Sequence, residues 1–159
     1  ETAALTLATR HLKVHMPEDF GSFRTVSVCR TGVLGTTGME SAEVIRAICS
    51  AVQPDALVVI DALAARSTEK LCRTVQLTDS GIVPGSGIGN DRAELSRRVL
   101  GIPVAALGVP TVVDAGEGLI VTPREIDKYV KDAGKLIAYA LNLSFHPGLT
   151  LADVDMFVG

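Results

Sequence analysis

The sequence predicts an α/β protein, a three-layer α/β/α sandwich around a mostly parallel central sheet. Three observations carry that expectation. Short apolar runs alternate along the chain with amphipathic, helix-spaced segments. Residues 56–60 are apolar throughout, as in a central parallel strand buried on both faces. The 159 residues, 47% hydrophobic and 21% charged, suffice for a single domain with a real core. With 4% aromatics and no Trp, that core is aliphatic.

Taken in order, residues 3–15 have helical spacing but no start signal. Phe20, Gly21 and Ser22 read as a turn. Residues 25–29 are short and β-branched, with Val26 and Val28 alternating, as in a strand. The glycines of residues 31–38 predict a loop. Thr37 and Glu40 have the spacing of a capping box, opening a helix with Val44, Ile45, Ile48 and Val52 on one face. That helix stops before Pro54. Residues 74–77 read as a second short strand after 56–60, and 91–100 as an amphipathic helix. Residues 103–107 form another strand, followed by Gly108, Val109 and Pro110; a short apolar run, 111–113, ends at Asp114. Thr122 as N-cap, Pro123 at the first helical position and Glu125 two residues on start a helix through Ile126, Val130, Ala133, Ile137 and Leu141. Residues 150–157 make a last short helix. Ala115, Gly116, Glu117 and Gly118 join the preceding region to the C-terminal helix abruptly.

Composition excludes several classes. A net charge of -3 argues against a nucleic-acid binder, which carries a basic face. Cys29, Cys49 and Cys72 are scattered, without the spacing of a zinc knuckle or a redox pair, and fit a reducing interior. No apolar run has the length of a membrane span. The first residues show no secretory signal pattern, and a start at Glu1 in helix-like sequence is expected of a trimmed N terminus.

Asp61 follows directly on the apolar run, where a carboxylate is costly to bury unless paired or used. It reads either as a functional carboxylate or as an N-cap or partner of Arg66. Asp79 and Asp114 repeat the signal more weakly: Asp79 precedes Ser80 and Gly81 and suits a turn, and Asp114 suits a helix cap. Residues 84–90, including Gly85, Ser86 and Gly87, form a Gly-rich loop whose N–H groups suit a phosphate or a peptide carbonyl. No Gly-Lys-Ser/Thr follows it, and Asn90 replaces the last glycine of a dinucleotide fingerprint. A tight structural loop explains it equally well. His11 and His15 share a helix face, but the general-base Glu of a zincin is absent, so a solvated pair is the simpler reading and no metal is assigned. His146, before Pro147, reads as structural. No nucleophile triad stands out.

Longer motifs carry a resemblance. The run Asp61-Ala62-Leu63-Ala64-Ala65-Arg66 and the run from Asp79 through Gly85, Ser86 and Gly87 to Asn90 are similar to the germination proteases of spore-forming bacteria. So are Glu94-Leu95-Ser96, Leu100-Gly101-Ile102-Pro103-Val104 and Gly108-Val109-Pro110-Thr111-Val112-Val113-Asp114-Ala115. Weaker matches at both ends, Thr9-Arg10-His11-Leu12, Thr36-Thr37-Gly38-Met39-Glu40 and Val121-Thr122-Pro123-Arg124-Glu125, extend the similarity over most of the chain.

The resemblance implies an endopeptidase that begins the degradation of small acid-soluble spore proteins at germination, in the spore core. It implies a zymogen that loses a propeptide, a homotetramer, and a fold like that of the hydrogenase maturation proteases. No cofactor, no membrane and no direct nucleic-acid partner are expected. Catalysis in the family is assigned to two aspartates. One matches Asp61; the other belongs to a motif, T-P-D-A-L-G-P, that is absent here and is expected a few residues before Glu1. Gly85, Ser86 and Gly87 would offer backbone groups to substrate. Val83 stands where family members often have His, which leaves a thin ligand set for a metal and favours metal-free chemistry. Gly116, Glu117 and Gly118 replace a longer family segment. Two other readings are a phosphate- or nucleotide-binding module built on residues 84–90, and an inactive relative.

Overall fold

The computed structural model describes residues 1–85, 92–116 and 119–159. Along the chain lie α1 (Arg10–His15), α2 (Pro17–Phe20), α3 (Leu34–Thr37), α4 (Ser41–Val52), β1 (Leu57–Ala65), β2 (Gln76–Thr78), α5 (Arg97–Leu100), β3 (Val104–Asp114), β4 (Ile120–Val121), α6 (Ile126–Phe145) and α7 (Leu151–Val158). They form two compact units, one of Glu1–Arg30 with Asp127–Gly159 and one of Thr31–Ile126.

The unit Thr31–Ile126 holds the sheet, in the order β1-β3-β2, with β4 also on β3. β1 runs parallel to β3, from Leu57 opposite Val104 to Ala65 opposite Val113. β2 and β4 both run antiparallel to β3. The sheet is therefore mixed rather than mostly parallel. A parallel neighbour needs a long crossover, and β4 follows β3 after only five residues, with Ala115 N–H donating to the Leu119 carbonyl at 2.8 Å.

β3 is the central strand, not the segment 56–60. Val104, Ala106, Gly108 and Pro110 of β3 are buried, whereas β1 lies at the sheet edge among the described residues and Ile60 is 37% exposed. β3 also runs unbroken through Gly108 and Pro110, where the sequence suggests an interruption. Gly108 marks a close approach: a Cβ there would lie 2.2 Å from Leu63 Cδ1.

α4 places Val44, Ile45, Ile48 and Val52 half-buried and ends before Pro54, as its pattern predicts. Its start lies at Ser41, after Glu40, which makes no side-chain cap. Thr37 is no cap because its hydroxyl already serves a separate turn, α3, donating to the Val33 carbonyl. Thr122 is likewise no cap: its hydroxyl donates to the Thr111 carbonyl at 2.8 Å, and α6 begins at Ile126. The helix expected over 91–100 is not formed over residues 92–96, where Leu95 bridges to Ile82 instead, and only the single turn of α5 follows.

In the other unit, α6 buries Gly134, Ile137, Ala138 and Asn142. The Asn142 amide accepts from Leu7 N–H and donates to the Leu5 carbonyl, both at 2.8 Å. These bonds hold the chain extended and replace the helix expected over 3–15 with a 3-10 turn, Thr2–Ala4, and α1. Nor do residues 25–29 join a sheet. Val26 N–H donates to the buried Thr9 hydroxyl, and the Val26 carbonyl accepts from Arg10 N–H. Phe20, Phe23 and Phe157 cluster at ring separations of 5.2 to 6.1 Å. α7 is closed by a capping box between Thr150 and Asp153.

Candidate active site

Asp61 stands inside β1, opposite Gly108, rather than at a strand end. The parallel ladder to β3 fixes its backbone, and its side chain is only half-buried, so the carboxylate is open to solvent or a ligand. Its Oδ2 accepts a hydrogen bond from Gly85 N–H at 3.3 Å. Arg66 is exposed, and among the described residues the one ion pair joins Arg98 to Glu94, so Asp61 is not consumed by a structural salt bridge there.

The Gly-rich loop is clamped at its base. Ile82 and Leu95 exchange backbone hydrogen bonds at 2.9 and 2.8 Å. Beneath that bridge, Gly81 has φ +92, and a Cβ there would lie 2.4 Å from the Leu95 carbonyl oxygen. Only glycine lets the two chain segments approach so closely. The clamp delivers Gly85, itself at φ +74, to the Asp61 carboxylate. Ser86 and Gly87, expected to bind substrate alongside Gly85, lie outside the described residues, as does Asp91.

A further side chain completes this corner. The Cζ and Nε atoms of Arg92 lie 3.4 Å from the position a Gly85 Cβ would take. Gly85 thus has the Asp61 carboxylate on its N–H and Arg92 near the side-chain position it leaves empty. Sequence reasoning passes over Arg92; its only signal is a lone cation directly behind the Gly-rich run.

The other candidates are not brought to this corner. Asp79 is exposed in a bend beside the paired Thr78 and Ser80 hydroxyls. Asp114 ends β3 and accepts from Gly116 N–H at 2.8 Å, a turn role rather than a helix cap. In the other unit, the His11 and His15 rings come within 4.0 Å of each other on an exposed face of α1. Among the described residues no group of three or more His, Cys, Asp or Glu could hold a metal ion. His146 is 4% exposed and packs 5.1 Å from Phe23. Burial, then the positive charges of Arg24 and Lys13, hold its imidazole below the ordinary histidine range. Cys49 and Cys72 are half-buried, and burial pushes both thiols up, the reverse of a reactive thiolate. None of the described helices is long and apolar enough to cross a membrane.

A family model described as germination protease matches residues 2–117. A germination protease of Clostridium perfringens (strain SM101) is 35% identical over 201 aligned positions, covering 96% of this chain and 62% of its own length. The germination protease of Halalkalibacterium halodurans is 48% identical over 96% of this chain and 40% of its own. That of Bacillus mycoides is 51% identical over 81% of this chain and 35% of its own. The chain thus spans less than two thirds of the length of these relatives. The clostridial alignment is longer than this chain, so that relative holds residues without a counterpart here.

Proposed function

The chain belongs to the germination protease family, and from that premise we propose that the whole protein is an endopeptidase that starts the breakdown of small acid-soluble spore proteins in the germinating spore core, with Asp61 as one of two catalytic aspartates. The observation that carries this reading is the Asp61 carboxylate: half-buried, fixed on a strand, and met by Gly85 N–H at 3.3 Å. A carboxylate oriented by a backbone donor, with no ion pair among the described residues, is suited to take a proton from water.

In this mechanism the ionised carboxylate of Asp61 accepts a proton as water attacks the scissile carbonyl. The second aspartate, protonated, donates to the carbonyl oxygen. Two carboxylates close together divide these roles because they do not both ionise readily. Gly85, with Ser86 and Gly87, presents backbone groups to the extended substrate. The zymogen, the homotetramer and a sandwich fold like that of hydrogenase maturation proteases belong to the same proposal. The parallel β1–β3 pair supports the last of these.

The test is direct. The whole protein, incubated with a purified small acid-soluble spore protein, should yield defined new N termini by mass spectrometry, and the Asp61→Asn variant should yield none. Unchanged cleavage by that variant rules out the assignment. Tight nucleotide binding by calorimetry, together with absent proteolysis, would favour a nucleotide-binding module instead.

A further inference from the structure

Asp61, Gly108 and Gln76 stand in one row across the sheet. β3 lies between β1 and β2, and its Gly108 is the register partner of Asp61 on one side and of Gln76 on the other. Residues directly opposite one another in a ladder point to the same face, so Asp61 and Gln76 share a face with a glycine between them. The Gly-rich run reaches the same face: residues 79–85 leave the end of β2 and bring Gly85 N–H onto Asp61 Oδ2. Along β1, Val59 and Leu63 put bulky side chains on that face on either side of Asp61. Across the strands, Gly108 adds no side chain of its own. Leu63 leans in there, its Cδ1 2.2 Å from the place a Gly108 Cβ would take, and gives the row an apolar floor. Gln76 is exposed, and the proposed reaction leaves it unused.

We propose that Gln76 is a specificity-determining residue: with an extended substrate lying along this row, its carboxamide hydrogen-bonds a polar substrate side chain about three residues from the bond cut at Asp61. The inference rests on the reading of Asp61 as the base. The spacing sets the position, since two strand-to-strand steps are about 10 Å and an extended chain advances about 3.3 Å per residue. A carboxamide both donates and accepts, so it pairs with a hydroxyl, a carboxamide or a carboxylate. A contact so far from the reacting atoms is the same before and during bond cleavage. It therefore acts on kcat/KM through KM and leaves kcat alone.

The experiment uses the whole protein and a small acid-soluble spore protein in which each residue near one mapped cut is changed to Ala in turn. Cleavage is followed for the wild type, Gln76→Ala and Asp61→Asn. Gln76→Ala should lower kcat/KM about 3- to 10-fold, the worth of one neutral hydrogen bond, with the single-turnover rate at saturating substrate unchanged within about twofold. In the wild type, one polar-to-Ala substrate change about three residues from the cut should cause a similar loss. In Gln76→Ala the same change should cost nothing further, while changes beside the cut stay additive. A merely structural role would lower cleavage of every substrate alike. If Gln76→Ala fails to fold, Gln76→Val, which suits a strand, takes its place with the same expectations. Beside an inactive Asp61→Asn, three results overturn the role of Gln76 alone: an unchanged kcat/KM, a loss additive with every substrate change, or a loss confined to the saturated rate. An active Asp61→Asn overturns the reading beneath it.

Discussion

The backbone N–H of Gly85 donates to Oδ2 of Asp61 at 3.3 Å, joining residues 24 apart in sequence. The contact depends on backbone that favours glycine, since Gly85 sits at φ +74 with Arg92 packed against it. Gly85→Ala should therefore cost about 1–3 kcal/mol of stability, read as a lower denaturant midpoint at unchanged slope. It should lower cleavage by the whole protein as well, because the donor to Asp61 shifts.

Gly108→Ala should destabilise the sheet. The new methyl would meet Leu63 at 2.2 Å from Cδ1 and 2.5 Å from Cγ, inside the parallel β1–β3 ladder. Overpacking of this kind costs about 1–3 kcal/mol. In a double-mutant cycle, Leu63→Ala should recover part of the loss. Simple additivity of the two changes would show that the contact does not limit packing.

Asn142→Ala should be among the more damaging changes in its unit. It strands Leu7 N–H and the Leu5 carbonyl, in a residue only 1% exposed. Leaving such groups unsatisfied costs about 1–3 kcal/mol. Amide exchange at Leu7 should accelerate in the variant; unchanged protection there would argue against the bond.

His146 predicts a pH dependence. Its folded-state value lies below the ordinary 6.5, chiefly because it is buried. The unfolded chain therefore binds the proton first as pH falls. The contribution of His146 is whole above 6.5, erodes below it, and is gone once pH passes the lowered native value. Chemical denaturation across this window should show a loss of stability in the wild type that is smaller in His146→Phe. Parallel curves would assign the loss to other groups.

Much of this was legible in the sequence. Helical spacing found α4 and the body of α6, and the apolar run found β1. Two errors share a cause: hydroxyls placed as helix caps are spent on other backbone carbonyls, Thr37 on Val33 and Thr122 on Thr111. Gly108 and Pro110 read as strand breakers, yet β3 uses the first for the approach of Leu63, and the carbonyl of the second accepts from Cys72 N–H. The carboxylate after the apolar run and the Gly-rich run single out Asp61 and Gly85, which the structure brings to 3.3 Å of each other. No periodicity marks Arg92, which lies near Gly85 only through the fold.

The central claim is that Asp61 carries the chemistry, and single-turnover cleavage by the whole protein bearing Asp61→Asn tests it most directly. The account predicts a variant that melts like the wild type, still binds a small acid-soluble spore protein, and cuts it at least about 1000-fold more slowly. A folded Asp61→Asn variant that cuts the same protein at the wild-type rate would contradict it.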